Sequence, residues 1–512
     1  MKILSSIIII FILFSASCKK KNRSEKEPNN SFNSSNILEL DKKIQGYINS
    51  GNDKDFYIIE VISNKILDIS LSGIKGVNHS FKIYSNNDTE VIKKWVDDNR
   101  KSSPERYVNF YAESGIYYIV VLHGEKDIRK ANLETPYELL ISSREFLSEE
   151  KEPNDNHRMA TPIKANEEIT GYFSPSYNRL NYKKPSFREE DWFEIDIILD
   201  SQKPALMDIS LSAVAGINPT LSLYDSNLKL IIETDNTGAN KEIKDIGISM
   251  QGKYYIMVAS KSYSSNIEIP YTLNTKLKEY NTNYELEPND NNINANGIIN
   301  NEISGKINRV GDVDFFYYES FDNSSYKIEL QSPVNLDLKL SIYDNAMKKI
   351  YDINNFKTGE NEVLPNLIIK GKFYFAISSG ASNVTDDKYL FYLRKITDIP
   401  NLESEPNNDK RMANRIGNNE IVGYISTKGD RDYFLLEYNK RSKHKIQVTG
   451  VKNGHIKVSL TDPLGYIIKS INLKGNIRSS FEEMIDGKGY IIVESLKDNY
   501  EYPYTINLRG IE

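Results

Sequence analysis

The sequence of 512 residues contains one cysteine, Cys18, and only five histidines. A single cysteine cannot form an internal disulfide, so a disulfide framework is excluded as a source of stability. The formal net charge of −6 gives no basic surface for nucleic acid, and no motif of a nucleic-acid-binding family is present. We therefore expect a folded chain that has no nucleic-acid partner.

Groups that usually carry catalysis are also scarce. The five histidines are scattered without metal-ligand spacing, and the chain has neither a G-x-S-x-G nucleophile motif nor a phosphate-binding P-loop. Carboxylate pairs are abundant, so a hydrolase with an unrecognised carboxylate site stays open as the least favoured alternative. The sequence predicts a protein that is not an enzyme.

The N-terminus carries an apolar run, ILSSIIIIFILF, followed by SASC and then by three lysines. The run is too short to span a membrane comfortably. It resembles a bacterial lipoprotein signal, in which Cys18 becomes the first mature residue and carries lipid, although Ser15 replaces the usual leucine. An ordinary secretory signal or an uncleaved anchor are the alternatives. We expect a signal peptide at 1–17, a lipidated tether at 18–24, and a location in the bacterial cell envelope, anchored by lipid at the outer membrane or cell surface.

One six-residue stretch occurs four times, as EKEPNN, EKEPND, ELEPND and ESEPNN, beginning at Glu25, Glu150, Glu285 and Glu403. Each copy is followed by an apolar residue and a glycine, and then by an Asp-x-Asp-aromatic segment. The second copy is interrupted by an insertion near 173–188 and carries Glu189 in place of the first aspartate. The repeats predict four domains, at 25–145, 146–280, 281–400 and 401–512.

Short alternating segments recur at matching places in all four repeats. Examples are LDISLS, MDISLS, YKIEL and HKIQV, in which apolar and polar residues alternate with period two. Such segments, separated by Gly, Asn, Asp and Ser turns, are typical of half-buried antiparallel strands. The sequence predicts an all-β chain of four tandem antiparallel β-sandwiches.

A pair of adjacent aromatic residues lies late in three of the repeats, at Tyr117/Tyr118, Tyr254/Tyr255 and Phe373/Tyr374. Neighbours in a strand point to opposite faces, so one of each pair is expected in the core and the other outside it. We expect Trp192 to pack in the core as well.

The E-P-N-[DN] opening, the apolar-Gly step, the D-x-D-aromatic segment, the G-x-Y-Y strand and the closing Y-x-L together resemble the bacterial pre-peptidase C-terminal domain. The resemblance covers nearly the whole mature chain. That domain is a jelly-roll-like β-sandwich appended to secreted peptidases and includes the collagen-binding modules of clostridial collagenases. The resemblance implies a binding module in which the glutamate-rich opening and the D-x-D segment hold calcium. No peptidase precedes the repeats in this sequence.

Calcium is chemically reasonable at these positions because it takes six to eight oxygen ligands from carboxylates, amides and water. Two acidic segments that converge without a cation would repel each other. The alternative is that E-P-N forms a charged linker and D-x-D a solvated turn. The predicted ligands, repeat by repeat, are Glu25, Glu27, Asn29, Asn30, Asp53 and Asp55; Glu150, Glu152, Asn154, Asp155, Glu189 and Asp191; Glu285, Glu287, Asn289, Asp290, Asp312 and Asp314; and Glu403, Glu405, Asn407, Asn408, Asp430 and Asp432.

Taken together, these features predict a lipid-anchored, non-catalytic envelope protein whose four calcium-stabilised modules bind an extracellular protein or glycan. A passive structural spacer or an envelope assembly factor is the main alternative.

Overall fold

The computed structural model describes residues 23–97, 99, 101–124, 131–175, 190–200, 203–234, 240–261, 264–280, 283–380, 383–417 and 419–511. Within these residues the chain is built almost entirely of strands, with two short 3₁₀ helices and no α-helix. None of the described segments forms a helix long and apolar enough to cross a membrane. The predicted signal peptide, Cys18 and Glu189 lie outside the described residues.

The first repeat consists of two five-stranded sheets that pack around a common core. Its 3₁₀ helix spans Phe32–Ser34. Its strands are β1 (Arg23–Ser24), β2 (Asn36–Ile37), β3 (Ile44–Ile48), β4 (Lys54–Val61), β5 (Lys65–Leu71), β6 (His79–Ser85), β7 (Asp88–Val96), β8 (Glu105–Ala112), β9 (Gly115–His123) and β10 (Asn132–Glu145). The first layer has the order β1-β3-β10-β5-β8, and the second layer has the order β2-β4-β9-β6-β7.

The second repeat has the same two layers, ordered β12-β19-β14-β17 and β11-β13-β18-β15-β16. Its 3₁₀ helix spans His157–Met159. Its strands are β11 (Thr161–Ile163), β12 (Glu168–Phe173), β13 (Glu190–Ile197), β14 (Ala205–Leu211), β15 (Pro219–Tyr224), β16 (Leu230–Thr234), β17 (Lys241–Ile248), β18 (Gly252–Ser260) and β19 (Asn266–Glu279).

In the third repeat the two layers join into one sheet because two long strands, β22 and β25, run through both. The order is β21-β26-β22-β25-β23-β24, with β20 paired to β22. The strands are β20 (Asn296–Gly297), β21 (Glu302–Gly305), β22 (Val313–Gln331), β23 (Leu338–Tyr343), β24 (Lys349–Ile353), β25 (Glu362–Ser379) and β26 (Tyr389–Lys395).

The fourth repeat returns to separate layers, ordered β28-β35-β30-β33 and β27-β29-β34-β31-β32. Its strands are β27 (Asn414–Arg415), β28 (Glu420–Gly423), β29 (Arg431–Glu437), β30 (Ser442–Thr449), β31 (His455–Thr461), β32 (Ile467–Lys474), β33 (Arg478–Ile485), β34 (Lys488–Lys497) and β35 (Tyr504–Ile511).

Each sandwich has its own apolar core, formed where the inward-facing residues of the two layers meet. The alternating segments predicted as strands lie in β5, β14, β22 and β30, each with alternating buried positions. Tyr117, Tyr254 and Phe373 contact these cores, which confirms the division of each aromatic pair between two faces. The expectation for Trp192 is wrong. Its neighbour Phe193 fills the core, and Trp192 is half-buried on the opposite face of β13.

The first layers of successive repeats are joined edge to edge by the E-P segments. At the first junction Glu152 bridges Phe110 of β8 in parallel, and Glu149 bridges Thr170 of β12. The corresponding contacts at the other junctions are Glu287 with Ile248, Tyr284 with Ser304, Glu405 with Ile368, and Leu402 with Val422. Residues 149–152, 284–287 and 402–405, here called the connecting segments, therefore lie between the edge strands of two neighbouring sandwiches.

Candidate metal centres

Three carboxylates converge in each repeat, two from the E-P-N opening and one from the second aspartate of D-x-D. In every set, one oxygen of each carboxylate lies within 4.8 Å of the others. We refer to them as the first to fourth acidic clusters: Glu25, Glu27 and Asp55; Glu150, Glu152 and Asp191; Glu285, Glu287 and Asp314; Glu403, Glu405 and Asp432. The structure thus brings together the two acidic segments that the sequence separates by about 26 residues or more.

A backbone hydrogen bond brings the two segments together. The carbonyl oxygen of Asn29 accepts a hydrogen bond from Phe56 N at 2.9 Å, so the E-P-N segment lies along the start of β4. Asn154, Asn289 and Asn407 accept in the same way from Trp192, Phe315 and Tyr433. The Glu–Pro peptide bond of all four segments is cis.

Both glutamates are held by nearby N–H groups. Glu25 Oε1 accepts from the Tyr47 backbone at 2.6 Å, and Glu27 Oε2 accepts from the Asn29 backbone at 2.8 Å. The same two contacts are present in the other three repeats, at Glu150 and Glu152, Glu285 and Glu287, and Glu403 and Glu405. Each carboxylate is therefore oriented before any ligand binds.

A fully buried tyrosine closes each cluster, and sequence reasoning missed its role. The Tyr137 hydroxyl donates to Asp55 Oδ2 at 2.6 Å and lies 3.2 Å from Glu25 Oε2. Tyr271, Tyr389 and Tyr504 donate to the equivalent aspartates at 2.7, 2.6 and 2.5 Å. The recurring Y-x-L motif marks these tyrosines, but it is read naturally as the end of a strand.

The glycine of the apolar-Gly step makes room for this tyrosine. A Cβ atom at Gly171 would lie 2.3 Å from Glu150 Oε2 and 2.4 Å from the Tyr271 hydroxyl. Gly46, Gly305 and Gly423 face the same obstruction from their own tyrosines. Since real Cβ atoms do not approach other atoms so closely, the glycine is required by the packing of the cluster.

Burial raises the pKa of several of these carboxylates. It raises the pKa of Asp55 to about 9, with the nearby Glu25 carboxylate as the second cause. Burial together with a neighbouring carboxylate likewise raises the pKa of Glu150, Glu285 and Glu405 to about 8. A cation that neutralises the cluster would remove the cost of keeping these groups ionised.

Several oxygens in the clusters are buried without a hydrogen-bond partner, and they occupy the same positions in all four repeats. They are Oδ1 of Asn29, Asn154, Asn289 and Asn407, and Oδ1 of Asp55, Asp191, Asp314 and Asp432. Native proteins leave few buried acceptors unsatisfied. A donor set of carboxylate and amide oxygens suits a hard divalent cation. Ligands on opposite sides of a calcium ion are about 4.6–5.2 Å apart, so carboxylate oxygens that all lie within 4.8 Å of one another are compatible with calcium.

The first aspartate of D-x-D plays a different part from the second. Asp53, Asp312 and Asp430 each accept, through Oδ2, the backbone N–H of the residue four positions earlier, at 2.5, 3.0 and 2.6 Å. They brace the turn before the strand and lie outside the three-carboxylate groups.

The last residue of E-P-N-[DN] also makes contacts of its own. Asp155 pairs with Lys94 at 3.6 Å, and Asp290 pairs with Lys229 and Arg309. Asn30 lies beside Asp53, and Asn408 Oδ1 is buried without a partner.

A group of aromatic rings lies on the outer face of each second layer. In the first repeat Phe32 covers Phe56, Tyr84 and Tyr118, with ring centroids 4.9–5.4 Å apart. In the second repeat Trp192, Tyr224 and Tyr255 are all half-buried, and the smaller His157 takes the place of Phe32. We call these three residues the outer aromatic group of the second repeat. The corresponding rings are Phe315, Tyr343 and Tyr374 in the third repeat, and Tyr433 and Tyr490 in the fourth.

Comparison with known proteins finds similarity to bacterial collagenases. Collagenase ColA of Clostridium perfringens is 26% identical over 171 residues, which cover 32% of this chain and 14% of that protein. Collagenase ColT of Clostridium tetani is 24% identical over 242 residues, or 46% of this chain and 22% of that protein. These matches confirm the resemblance to collagenase modules predicted from the motifs. The chain spans less than a quarter of the length of either relative, and no family model matches it.

Among solved structures, the pre-peptidase C-terminal domain of a Bacillus anthracis collagenase is 23% identical, with a TM-score of 0.18, covering 21% of this chain and 94% of that domain. A tandem CBM22 domain of Paenibacillus barcinonensis Xyn10C is 13% identical, with a TM-score of 0.15, covering 41% of this chain and 86% of that structure.

Proposed function

We propose that this chain is a lipid-anchored, non-catalytic protein of the bacterial cell envelope that binds an extracellular protein or glycan. In this proposal each sandwich is stabilised by calcium at its acidic cluster, and Cys18 carries the lipid. The observation that carries the calcium part of the proposal is the fourfold recurrence of buried, unpartnered oxygens around three converging carboxylates.

Calcium would stabilise the fold by binding the native state alone. The converging carboxylates do not exist as a cluster in the unfolded chain, so binding free energy becomes folding free energy. A rise in melting temperature on adding calcium, reversed by a chelator, is the expected result. A melting curve that does not respond to either would remove calcium from the proposal.

The outer aromatic group of the second repeat is the surface best suited to a ligand. Its rings stand on the outer face of a sheet, and Trp192 lies 5.2 Å from Tyr224 between ring centroids. Half-buried aromatic rings contribute strongly to recognition of proteins and sugars, because they offer rigid apolar area with a polar tip. The names of the collagenase relatives make collagen the first ligand to test, and glycans follow because exposed aromatic rings with a polar tip also suit sugars.

The two tryptophans allow a matched binding experiment. Trp95→Phe leaves Trp192 as the sole tryptophan, so its fluorescence reports a ligand at the outer aromatic group when collagen and a panel of glycans are titrated. Trp192→Ala lacks the reporting tryptophan, so both alanine variants are compared by isothermal titration calorimetry, in which Trp192→Ala is expected to weaken binding by about 2 kcal/mol or more. The control, Trp95→Ala, removes an indole that instead packs under Lys82. Equal binding by both variants would exclude this surface.

The lipid anchor has its own test. Growth with a labelled fatty acid should label the protein, and Cys18→Ser should abolish the label and release the protein from the membrane fraction. A Cys18→Ser chain that stays membrane-bound would favour an uncleaved anchor.

A spacer is the second candidate function, favoured by the edge-to-edge connection of the first layers through the connecting segments. Failure of every ligand to bind, with the calcium response intact, would favour the spacer over the binder.

A further inference from the structure

The four acidic clusters differ in what surrounds them. In the second, third and fourth clusters all three carboxylates are buried, whereas in the first cluster Glu25 is half-buried and Glu27 is exposed. The first cluster has no preceding sandwich within the described residues. In the other three, both glutamates belong to a connecting segment that pairs with the edge strand of the sandwich before it.

Side chains of the preceding sandwich reach directly into the second cluster. The Tyr107 hydroxyl of β8 donates to Glu152 Oε2 at 3.0 Å, and Asn109 Nδ2 donates to Glu150 Oε1 at 3.2 Å. Tyr107 leaves the other oxygen of its glutamate, Glu152 Oε1, buried without a partner, whereas both oxygens of Glu150 accept hydrogen bonds, Oε1 from Asn109 and Oε2 from the Tyr271 hydroxyl. The two donors therefore orient the carboxylates, and Glu152 keeps an oxygen for a cation.

A tyrosine of the preceding repeat also reaches the fourth cluster. The Tyr351 hydroxyl, from β24 of the third repeat, donates to Glu405 Oε2 at 2.7 Å. In addition, Asn366 Nδ2 of β25 donates to the backbone oxygen of Glu403 at 2.7 Å. At the third cluster the contact is made by backbone instead. Glu287 N donates to Gly247 O at 2.8 Å, and a Cβ atom at Gly247 would lie 2.2 Å from Glu285 O.

We propose that the second and fourth acidic clusters are cation sites shared between two sandwiches, whose affinity is set by Tyr107 and Tyr351 of the preceding repeat. The inference rests on the proposed cation at these clusters and adds a regulatory property to it. Because coupling between two binding events is reciprocal, the cation strengthens the docking of neighbouring sandwiches, and docking strengthens the binding of the cation. The first cluster, which has no preceding sandwich among the described residues, is expected to bind without this coupling.

Tyr107 and Tyr351 are positioning residues, since they act through a glutamate rather than on the cation. Hydrogen-bond partners of metal ligands typically change metal affinity by about 10–100-fold. Replacing tyrosine by phenylalanine removes only the hydroxyl and keeps the ring in place. We therefore expect Tyr107→Phe, a change in the first repeat, to weaken cation binding in the second repeat by about tenfold or more.

Trp192 allows cation binding at the second cluster to be measured separately from binding at the other clusters. It follows Asp191 directly, and the other clusters have Phe56, Phe315 and Tyr433 at this position. In the full chain with Trp95→Phe, light absorbed by tryptophan alone should sensitise terbium, a luminescent oxygen-binding ion of about the size of calcium, at the second cluster. Calcium competition then gives the calcium affinity of that site.

The matched control is Tyr111→Phe, on the same strand as Tyr107. Its hydroxyl contacts Asn64 within the first sandwich and does not reach the cluster. Tyr107→Phe should lower the affinity measured through Trp192, and Tyr111→Phe should leave it unchanged. If Tyr107→Phe does not fold, Tyr351→Phe tests the same idea at the fourth cluster. The readout is then hydrogen exchange of the Ile368 amide, which donates to Glu405 O.

Amide hydrogen exchange tests the reverse direction of the coupling. The Tyr111 amide of the first sandwich donates to Glu152 O at 2.9 Å across the junction. Calcium should slow its exchange, and Asp191→Asn, which removes a ligand in the second sandwich, should abolish this slowing.

The outcomes separate the two proposals. Absence of terbium and calcium binding in the unsubstituted chain would overturn both the cation and the coupling. The coupling would be overturned, and the cation left in place, by two results together. The Tyr107→Phe and Tyr111→Phe chains would bind the cation equally tightly, and calcium would not change hydrogen exchange at the Tyr111 amide. A selective loss in Tyr107→Phe together with calcium-dependent exchange supports the shared site.

Discussion

Replacing Asp432 by asparagine should shift the stability of the fourth repeat in opposite directions with and without calcium. Asp432 lies in a buried cluster with Glu403 and Glu405, and its Oδ1 atom has no hydrogen-bond partner. In a chelator, the substitution removes one of three repelling carboxylates and adds an amide that can donate to a neighbour. With calcium present, the same substitution removes a charged ligand.

The geometry sets the size of both effects. Two unit charges within 4.8 Å of each other repel by roughly 3.5 kcal/mol at an effective dielectric constant of about 20. Proton uptake relieves part of this repulsion, so we expect the chelated variant to gain about 1–2 kcal/mol, or roughly 4–15 °C in melting temperature. At a calcium concentration about 100-fold above the dissociation constant, the unsubstituted site gains about 2.7 kcal/mol, most of which the variant should lose.

Scanning calorimetry in chelator and in calcium measures both changes, and hydrogen exchange of β35 assigns them to the fourth repeat. The matched control is Asp462→Asn in the same repeat, because Asp462 braces a turn by accepting the Gly465 amide at 2.7 Å and does not belong to the acidic cluster. The control should lower the melting temperature in both conditions. If Asp432→Asn also melts below the unsubstituted chain in both conditions, the argument from repulsion is wrong.

Two further predictions concern single residues in the first two repeats. Gly171→Ala should destabilise the second repeat by about 1–3 kcal/mol in chemical denaturation, since its Cβ would overlap Glu150 and Tyr271. The control is Gly417→Ala, which should be neutral because the space around Gly417 is open. Burial lowers the pKa of His79 to about 4, so the contribution of His79 to the stability of the first repeat is full above the unfolded pKa of about 6.5 and falls by about 3 kcal/mol as the pH approaches 4. His79→Gln should flatten this dependence in denaturation curves recorded between pH 7 and 4, and an unchanged slope would contradict it.

The strand pattern was predictable because period-two alternation reports which face of a strand is buried, and each repeat carries the same alternation. The convergence of Glu27 and Asp55 was predictable for another reason, since both segments recur together in every repeat. The role of Tyr137 was not, because a tyrosine at a strand end is equally consistent with packing alone. Its position relative to Asp55 depends on pairing between strands far apart in sequence.

The contacts across the junctions could not be predicted from the sequence, for a related reason. Tyr107 and Tyr351 occupy different strands of their sandwiches, so comparing repeats does not align them. The wrong prediction for Trp192 has a local cause. It shares an aromatic position with Phe56, but the strand places its neighbour Phe193 inward. A single aromatic position does not reveal which of two adjacent residues faces the core.

The connecting segments also affect how this protein can be divided into fragments. A fragment that stops at residue 145 leaves the edge of β8 without the segment that pairs with it, and bare sheet edges promote association between molecules. A fragment that runs on through Asn154 covers that edge but deprives the next sandwich of its own opening residues. Excised single repeats should therefore be more prone to aggregate than the intact chain, and their solubility would understate that of the parent protein.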